Sequence, residues 1–566
     1  MLNIFIAVGG SGTKVAEALV RLLAVGFPTR TDRQGVPTSA GDELQIWRLD
    51  PDRNSGAAHA LRRTVDEYSF LQNNLRKDNA GNAWAMEIDT EIRQLDPLSL
   101  SGPNDSTNQV KTLGGILNSL DRNRKESTPF TSLFYEPKDL AVEIDRGFYQ
   151  KPFIGAPIMA IFAETLKDAN SPGGQQCNLT FLENKKVRFF LCGSLHGGTG
   201  ACGVPVMGKF LADWKDTKPQ LDWQVGGCLL APYAVPPPPP FPQLANGQPC
   251  PPTLVDNYVR QFSNVAPFNT LNTEEEKQQL VKQILEGFYA HPDDMTERAR
   301  QSLVYYKDHI AAHFNALYLI GKPTPDQLPA WSNGGASQQN PINSAEVVAA
   351  LAALNYFGGN HERENAPRTY VIGSATRTFQ ERLRLSDLPQ YSVQGREEAP
   401  EIDPEAVLLA SALMRHLILH QVPWEAAAKN FPPEMQRLKE FYAAHPENED
   451  EDQYSYNRAL RVVTDSLHAL LAAQNTTGWE GNDHAQIAPL LSDDPVTIDN
   501  ITNQLKARIM SNEARGELLL GHSRVRVSTK EFGSWCPAGN EFSRGEYLRL
   551  IWAKLFARVT AITEAA

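Results

Sequence analysis

One kind of junction, occurring twice, constrains this chain more than any other feature. In "LNIFIAVGGSGTKVAEAL" (2–19) and in "VRFFLCGSLHGGTGACGVPV" (187–206), an apolar run stops at glycine and resumes as a helical pattern. Apolar runs of this length, rich in β-branched and aromatic residues, suit strands buried on both faces, as in a parallel sheet. Glycines beside hydroxyl side chains allow the backbone to approach something closely, most often a phosphate, and a helix N-terminus favours negative charge. Two such loops at the carboxyl edge of one parallel sheet can hold a single polyphosphate.

The pattern continues as strands alternating with helices. "ELQIWRLD" (43–50) reads as a second strand, closed by the turn "DPDRNSG". The helix between the first two strands is expected over 12–27, with Val15, Ala18, Leu19, Leu22 and Leu23 at helical spacing and Gly26 and Pro28 ending it. Further strands are expected at 185–193, 222–233, 314–321 and 368–373. Helices are expected from Pro152, over 201–214, around 273–290 and 293–312, and over 343–357. The last of these is apolar nearly all round and should be buried between layers. Residues 66–140 are polar and show no clear pattern. Beyond residue 400 the chain reads as helices at 404–421, 433–445, 456–474 and 546–562, with "ENEDED" (447–452) as a solvated linker. The expected fold is α/β: a parallel-sheet nucleotide-binding domain (1–342), a central helix (343–357), a loop and strand region (358–400) and a helix-rich C-terminal domain (401–566).

Composition limits the function. A net charge of −12 over 566 residues disfavours a general binder of nucleic acid or anionic membrane, since both need a basic face. The six cysteines form no CxxC pair and read as reduced thiols of a cytoplasmic protein. No apolar stretch has the length of a membrane span, and the apolar N-terminus lacks a basic leader, so it reads as a first strand. The proline tract "VPPPPPFPQLANGQPCPPT" (235–253) must be extended, either as an active-site loop or spacer or as a ligand for a partner domain.

For the first glycine loop alone, three readings compete. A Walker A loop requires Lys followed by Ser or Thr after its last glycine, whereas Lys14 follows Thr13 and precedes Val15. A dinucleotide fingerprint would use Gly10 and Gly12, but Val15 stands where its third glycine belongs, and Asp50 comes too late. A plain tight turn is the third. The second loop weighs against all three. His196-Gly197-Gly198-Thr199-Gly200-Ala201-Cys202, followed by "GVPV", resembles the GGGTG signature of the tubulin/FtsZ superfamily. "FIAVGGSGTKVAEAL", "LDPDRN", "GFYQKPFIGAP" and "NSAEVVAALAALNYF" resemble, in order, that family's first three nucleotide loops and its central helix, across about residues 1–373. His196 replaces the first signature glycine and Cys202 the last, and the 28–43 insertion is unusual, so the likeness is to a divergent, bacterial-type branch.

The resemblance implies GTP or GDP with Mg²⁺. Gly9, Gly10, Ser11 and Gly12 would cradle the α/β side of the phosphates; Gly197, Gly198, Thr199 and Gly200 would cradle the β/γ side; Gly147 stands in the third loop. Asp50, Asp52 or Asn54 would reach phosphate or water-bound Mg²⁺, or else cap a turn. Asn343 matches the position that reads guanine, or is an N-cap, with Asn340 as its substitute. Lys14 either neutralises a phosphate or points to solvent, and His196 either meets the nucleotide or is a neutral loop residue. In the family a neighbouring subunit supplies acids after the central helix; Glu362 and Glu364 are the corresponding candidates here, with a solvated loop as the alternative. The function implied is nucleotide-dependent self-assembly, as a homo-oligomer or filament, or a GTPase switch. The short stretch between Phe357 and Arg368 leaves little room for the family's next helix, which counts against filament contacts. The alternatives are a non-hydrolysing protein that docks partners through its C-terminal helices or proline tract, and a dinucleotide-dependent oxidoreductase.

Overall fold

A computed structural model describes residues 1–27, 42–75, 87–89, 91–100, 112–120, 134–140, 147–148, 151–177, 179–234, 292–321, 340–358, 368–372, 451–475, 494–497, 517–520 and 525–528, with isolated positions between them. Its principal elements are β1 (Leu2–Val8), α1 (Gly9–Ala24), β2 (Glu43–Leu49), α2 (Gly56–Leu75), β3 (Glu87–Ile88), β4 (Arg93–Leu95), α3 (Leu113–Leu120), α4 (Pro152–Thr165), β5 (Val187–Ser194), α5 (Gly198–Thr217), β6 (Trp223–Leu230), α6 (Pro292–Tyr305), β7 (Ala316–Ile320), α7 (Ser344–Gly358), β8 (Arg368–Ile372), α8 (Glu451–Asn475), β9 (Glu517–Leu520) and β10 (Val525–Ser528).

Eight strands form one sheet in the order β3-β2-β1-β5-β6-β7-β8, with β4 also on β2. Every pairing in it is parallel. β1, β5 and β6 are buried along their whole length, which is why they read as apolar runs without alternation. Successive side chains point to opposite faces. Ile4, Ile6, Val8, Phe189 and Leu191 belong to the core shared with α4 and α5. Phe5 and Phe190 face the other way, where Phe190 lies 5.4 Å from the Tyr356 ring and 6.0 Å from the Phe357 ring of α7. On that side α1 packs against α2, α7 and α8.

The α/β expectation therefore holds for the described residues. α7 is buried throughout except at Asn355, as its all-round apolar pattern predicts. Two helices start earlier than the sequence suggests. α1 begins at Gly9 and α5 at Gly198, so the glycines form the first helical turns instead of preceding them. Packing is the reason at α1: a Cβ on Gly12 would stand 2.4 Å from the Cys192 carbonyl oxygen and 2.9 Å from the Ala7 carbonyl carbon. Only a bare helix turn fits that close to β1 and β5. α2 is an addition to the expected elements.

Past residue 400, α8 contains the helix expected at 456–474 and begins earlier, at Glu451, so the last two residues of the stretch read as a linker (447–452) are helical instead. It turns Val463, Leu467 and Leu470 inward and contacts α1, α2 and α7. β9 and β10 pair as an antiparallel hairpin, a further addition. The expected helices at 433–445 and 546–562, the proline tract and the 28–41 stretch lie outside the described residues.

Candidate functional site

The strand register brings the glycine loops to one edge. Val8 pairs with Leu49, Ala7 with Cys192 and Ser194 with Leu230, so β1, β2, β5 and β6 all end at the same carboxyl side. From β1 the chain builds outward through β2, β3 and β4, then returns to place β5 on the other flank of β1. The strand order thus reverses between β1 and β5, and the two glycine-rich junctions are the ones that follow these strands. In open parallel sheets this is where ligands bind.

Three segments meet there. Gly9 has φ +72°, and a Cβ on it would stand 3.1 Å from Thr199 Cβ and 3.4 Å from the Gly200 nitrogen. Gly147 has φ +104°, and its Cβ would stand 3.4 Å from the Thr199 hydroxyl oxygen. Residues at such φ values are strained unless they are glycine. Gly10, by contrast, faces open space: a Cβ on it would meet nothing within 4 Å. Gly197 is the N-cap of α5, and Gly198, Thr199 and Gly200 form its first turn.

Neither helix start is satisfied by its own side chains. The N-caps of α1 and α5 are Val8 and Gly197, neither makes a side-chain cap, and neither first turn contains an acid. A helix start without a side-chain cap carries the positive end of the helix dipole, which favours negative charge.

The turn after β2 is a buried ionic cluster. Arg48 Nη2 donates to Asp50 Oδ2 at 3.0 Å, to Ser55 Oγ at 3.1 Å and to the Asp52 carbonyl. Arg48 Nε donates to Thr13 Oγ1 at 3.2 Å, and that hydroxyl donates to the Gly9 carbonyl at 2.9 Å, tying the turn to the start of α1. The Asp52 N–H donates to Asp50 Oδ1 and the Asn54 N–H to Asp52 Oδ1, each at 3.2 Å. Both acids therefore cap the turn, one of the two roles the sequence allows them. Asp52 Oδ2 is buried with no hydrogen-bond partner. Burial raises Asp50 to about 6, against the opposing pull of Arg48, with the neighbouring Asp52 charge adding to the rise.

Lys14 takes neither of its expected positions. It is buried, with Nζ 3.0 Å from Glu17 Oε2 and 2.8 Å from the Asn340 carbonyl oxygen. Glu17 Oε1 in turn accepts from Arg21. Asn343 is an N-cap: its Oδ1 accepts from the Ala345 N–H at 3.0 Å and from Ser344 Oγ at 3.3 Å, and its own N–H donates to Glu346 Oε2 at 2.8 Å. This reciprocal pair is a capping box. His196 is partly exposed, with Nδ1 buried and unpartnered, and its ring meets Tyr233 edge-on at 5.9 Å. Burial lowers it to about 4, so the imidazole is neutral near pH 7. Glu362 and Glu364 lie outside the described residues.

Three groups that hold this site together are not among the candidate residues named from the sequence: Arg48, Tyr233 and Glu346. Tyr233 donates to Glu346 Oε1 at 2.9 Å, and the Ser11 hydroxyl lies beside the same phenol. Arg48 and Glu346 carry a readable signal, since each is a charge inside an otherwise apolar buried element and must be paired there. No protein-family model matches the chain, and no curated protein matches it.

Proposed function

We propose that the crevice at the β1–β5 reversal binds GTP or GDP with Mg²⁺, and that the chain is a tubulin/FtsZ-like protein that uses the nucleotide for self-assembly or switching. The observation that carries this reading is the meeting of two uncapped helix N-termini at Thr199, with the open side of Gly10 beside them. An N-terminus favours an anion by about 0.3–1 kcal/mol when exposed, and more when partly buried. The first turn of α1 takes the α/β side of the phosphates, and the first turn of α5 with the Thr199 hydroxyl takes the β/γ side. Of the two buried carboxylates, Asp50 pairs with the Arg48 guanidinium and Asp52 Oδ2 has no partner. The surplus negative charge suits Mg²⁺ held through water.

The choice of guanine rests on the sequence resemblance. With the Asn343 oxygen engaged twice as a cap, Asn340 is the alternative reader of the base. Hydrolysis, by Glu362 or Glu364, requires a second copy of the chain. These residues follow the C-terminus of α7, whose 15 residues span about 22 Å. Protein partners would use the C-terminal helices or the proline tract, in the cytoplasm. Among the described residues no helix is long and apolar enough to cross a membrane.

Extraction of bound nucleotide from the purified protein tests the reading. GTP or GDP is expected. A dinucleotide, or no nucleotide together with no binding of added GTP or GDP, contradicts it.

A further inference from the structure

Glu346 is the one charged side chain in α7, and it is fully buried. Both its oxygens are engaged: Oε1 accepts from Tyr233 and Oε2 from the Asn343 N–H. Tyr233, just past the tip of β6, touches three segments far apart in sequence. It neighbours Ser11 in the first glycine loop, meets His196 in the second, and donates to Glu346 at the start of α7. The phenol thus stands between the two glycine loops at the crevice and a carboxylate with no access to water.

The charges around that carboxylate are few. From α1 come Lys14 and Glu17, with Arg21 behind Glu17. From β5 comes the Cys192 thiol, beside Cys228 at the paired position of β6, and from the same strand Arg188, which donates to the Phe357 carbonyl at the far end of α7. From β7, Tyr318 donates to Asn355. On α8, Arg461, Asp465 and His468 are exposed and Arg458 lies over the Phe70 ring. With Glu346 ionised, Lys14 and Arg21 balance Glu17 and Glu346. With Glu346 protonated, one positive charge is left over close to the first turn of α1.

We propose that an anionic ligand in the crevice drives uptake of one proton by Glu346, with Ser11 and Tyr233 standing between the two. The inference rests on the nucleotide reading above. A phosphate on the first turn of α1 puts negative charge at Ser11, beside the phenol, and like charge disfavours the ionised carboxylate. The proton comes from solvent and ends on a Glu346 oxygen; no other bond changes. Burial already holds Glu346 at about 7, above the usual carboxylate range and against the pull of Lys14, while it pushes Tyr233 and Cys192 up so that both stay protonated. Glu346 is therefore poised to respond near neutrality. Asp50, at about 6, is the rival.

Calorimetric titration of the full chain with GDP, in buffers of differing ionisation enthalpy, counts the protons taken up. GDP avoids the protons released by hydrolysis. The parent should take up a measurable fraction of one proton near pH 7. Glu346→Gln, which keeps the shape of the side chain and one acceptor oxygen, should bind GDP with uptake near zero. Tyr233→Phe removes a bond that favours the carboxylate, so its uptake maximum should move to higher pH. Unchanged uptake in a Glu346→Gln protein that still binds GDP, or parent uptake centred near pH 6 where Asp50 titrates, overturns the proposal while leaving the nucleotide reading intact. If the parent binds neither GDP nor GTP, both fail.

Discussion

Two kinds of helix start lie close together in this molecule. α7 is closed by its own residues: Asn343 caps it, Glu346 returns the bond, and an acid occupies its first turn. α1 and α5 have no side-chain cap and no acid in the first turn: Val8 and Gly197 stand at the N-cap positions, where Ser or Asp would satisfy an N–H group. A chain able to build a capping box at α7 leaves two helix starts open where they converge. On the proposed reading, the contrast separates an N-terminus that serves stability from N-termini that hold a ligand.

The sharpest way to break this contrast is at Arg48, which binds the acidic turn to the start of α1. Arg48→Met would strand Asp50 as a buried charge and release Thr13. Breaking a buried ion pair from one side costs about 3–5 kcal/mol, so denaturant unfolding should show a loss of that order. Next comes pH. Glu346 is raised from 4.5 to about 7, so its contribution to stability is fully present below pH 4.5 and is lost as pH rises through about 7. At about 1.4 kcal/mol for each pH unit, the loss is about 3 kcal/mol. Asp50, raised from 3.8 to about 6, acts in the same direction. Unfolding at pH 5 and pH 8 should show the fall, and Glu346→Gln should flatten most of it. The smallest effect belongs to the cap. Asn343→Ala should cost about 1 kcal/mol, whereas Asn343→Asp, which keeps an acceptor oxygen, should cost much less by the same measurement.

The same contrast explains what is legible without coordinates. Strands buried on both faces announce themselves as apolar runs, and β1, β2, β5, β6, β7 and β8 all fall where such runs occur. α2 is hidden although Ala57, Leu61, Val65, Tyr68 and Leu71 are spaced to share one buried face, because the polar residues between them mask the stripe. The sequence pattern sets the starts of α1 and α5 three residues late. Glycine is a poor helix former, and packing against β1 and β5 overrides that local preference. The convergence of Gly9, Gly147 and Thr199 is the one their order in the chain suggests. Tyr233 has no such signal, since its role depends on Ser11, His196 and Glu346 meeting around one phenol. Lys14 departs from both expectations because the carboxylate of Glu17 and a carbonyl 326 residues away take up its charge.

The most direct test of the central claim is nucleotide binding by Gly10→Val. Because, among the described residues, nothing beyond its own helix turn lies within 4 Å of the added Cβ, the variant should fold as the parent does, with the same helical signal and a similar unfolding midpoint. Its side chain would occupy the space assigned to the phosphates, so GDP and GTP affinity should fall by at least tenfold. A folded Gly10→Val protein that binds either nucleotide as tightly as the parent would contradict the assignment of the crevice.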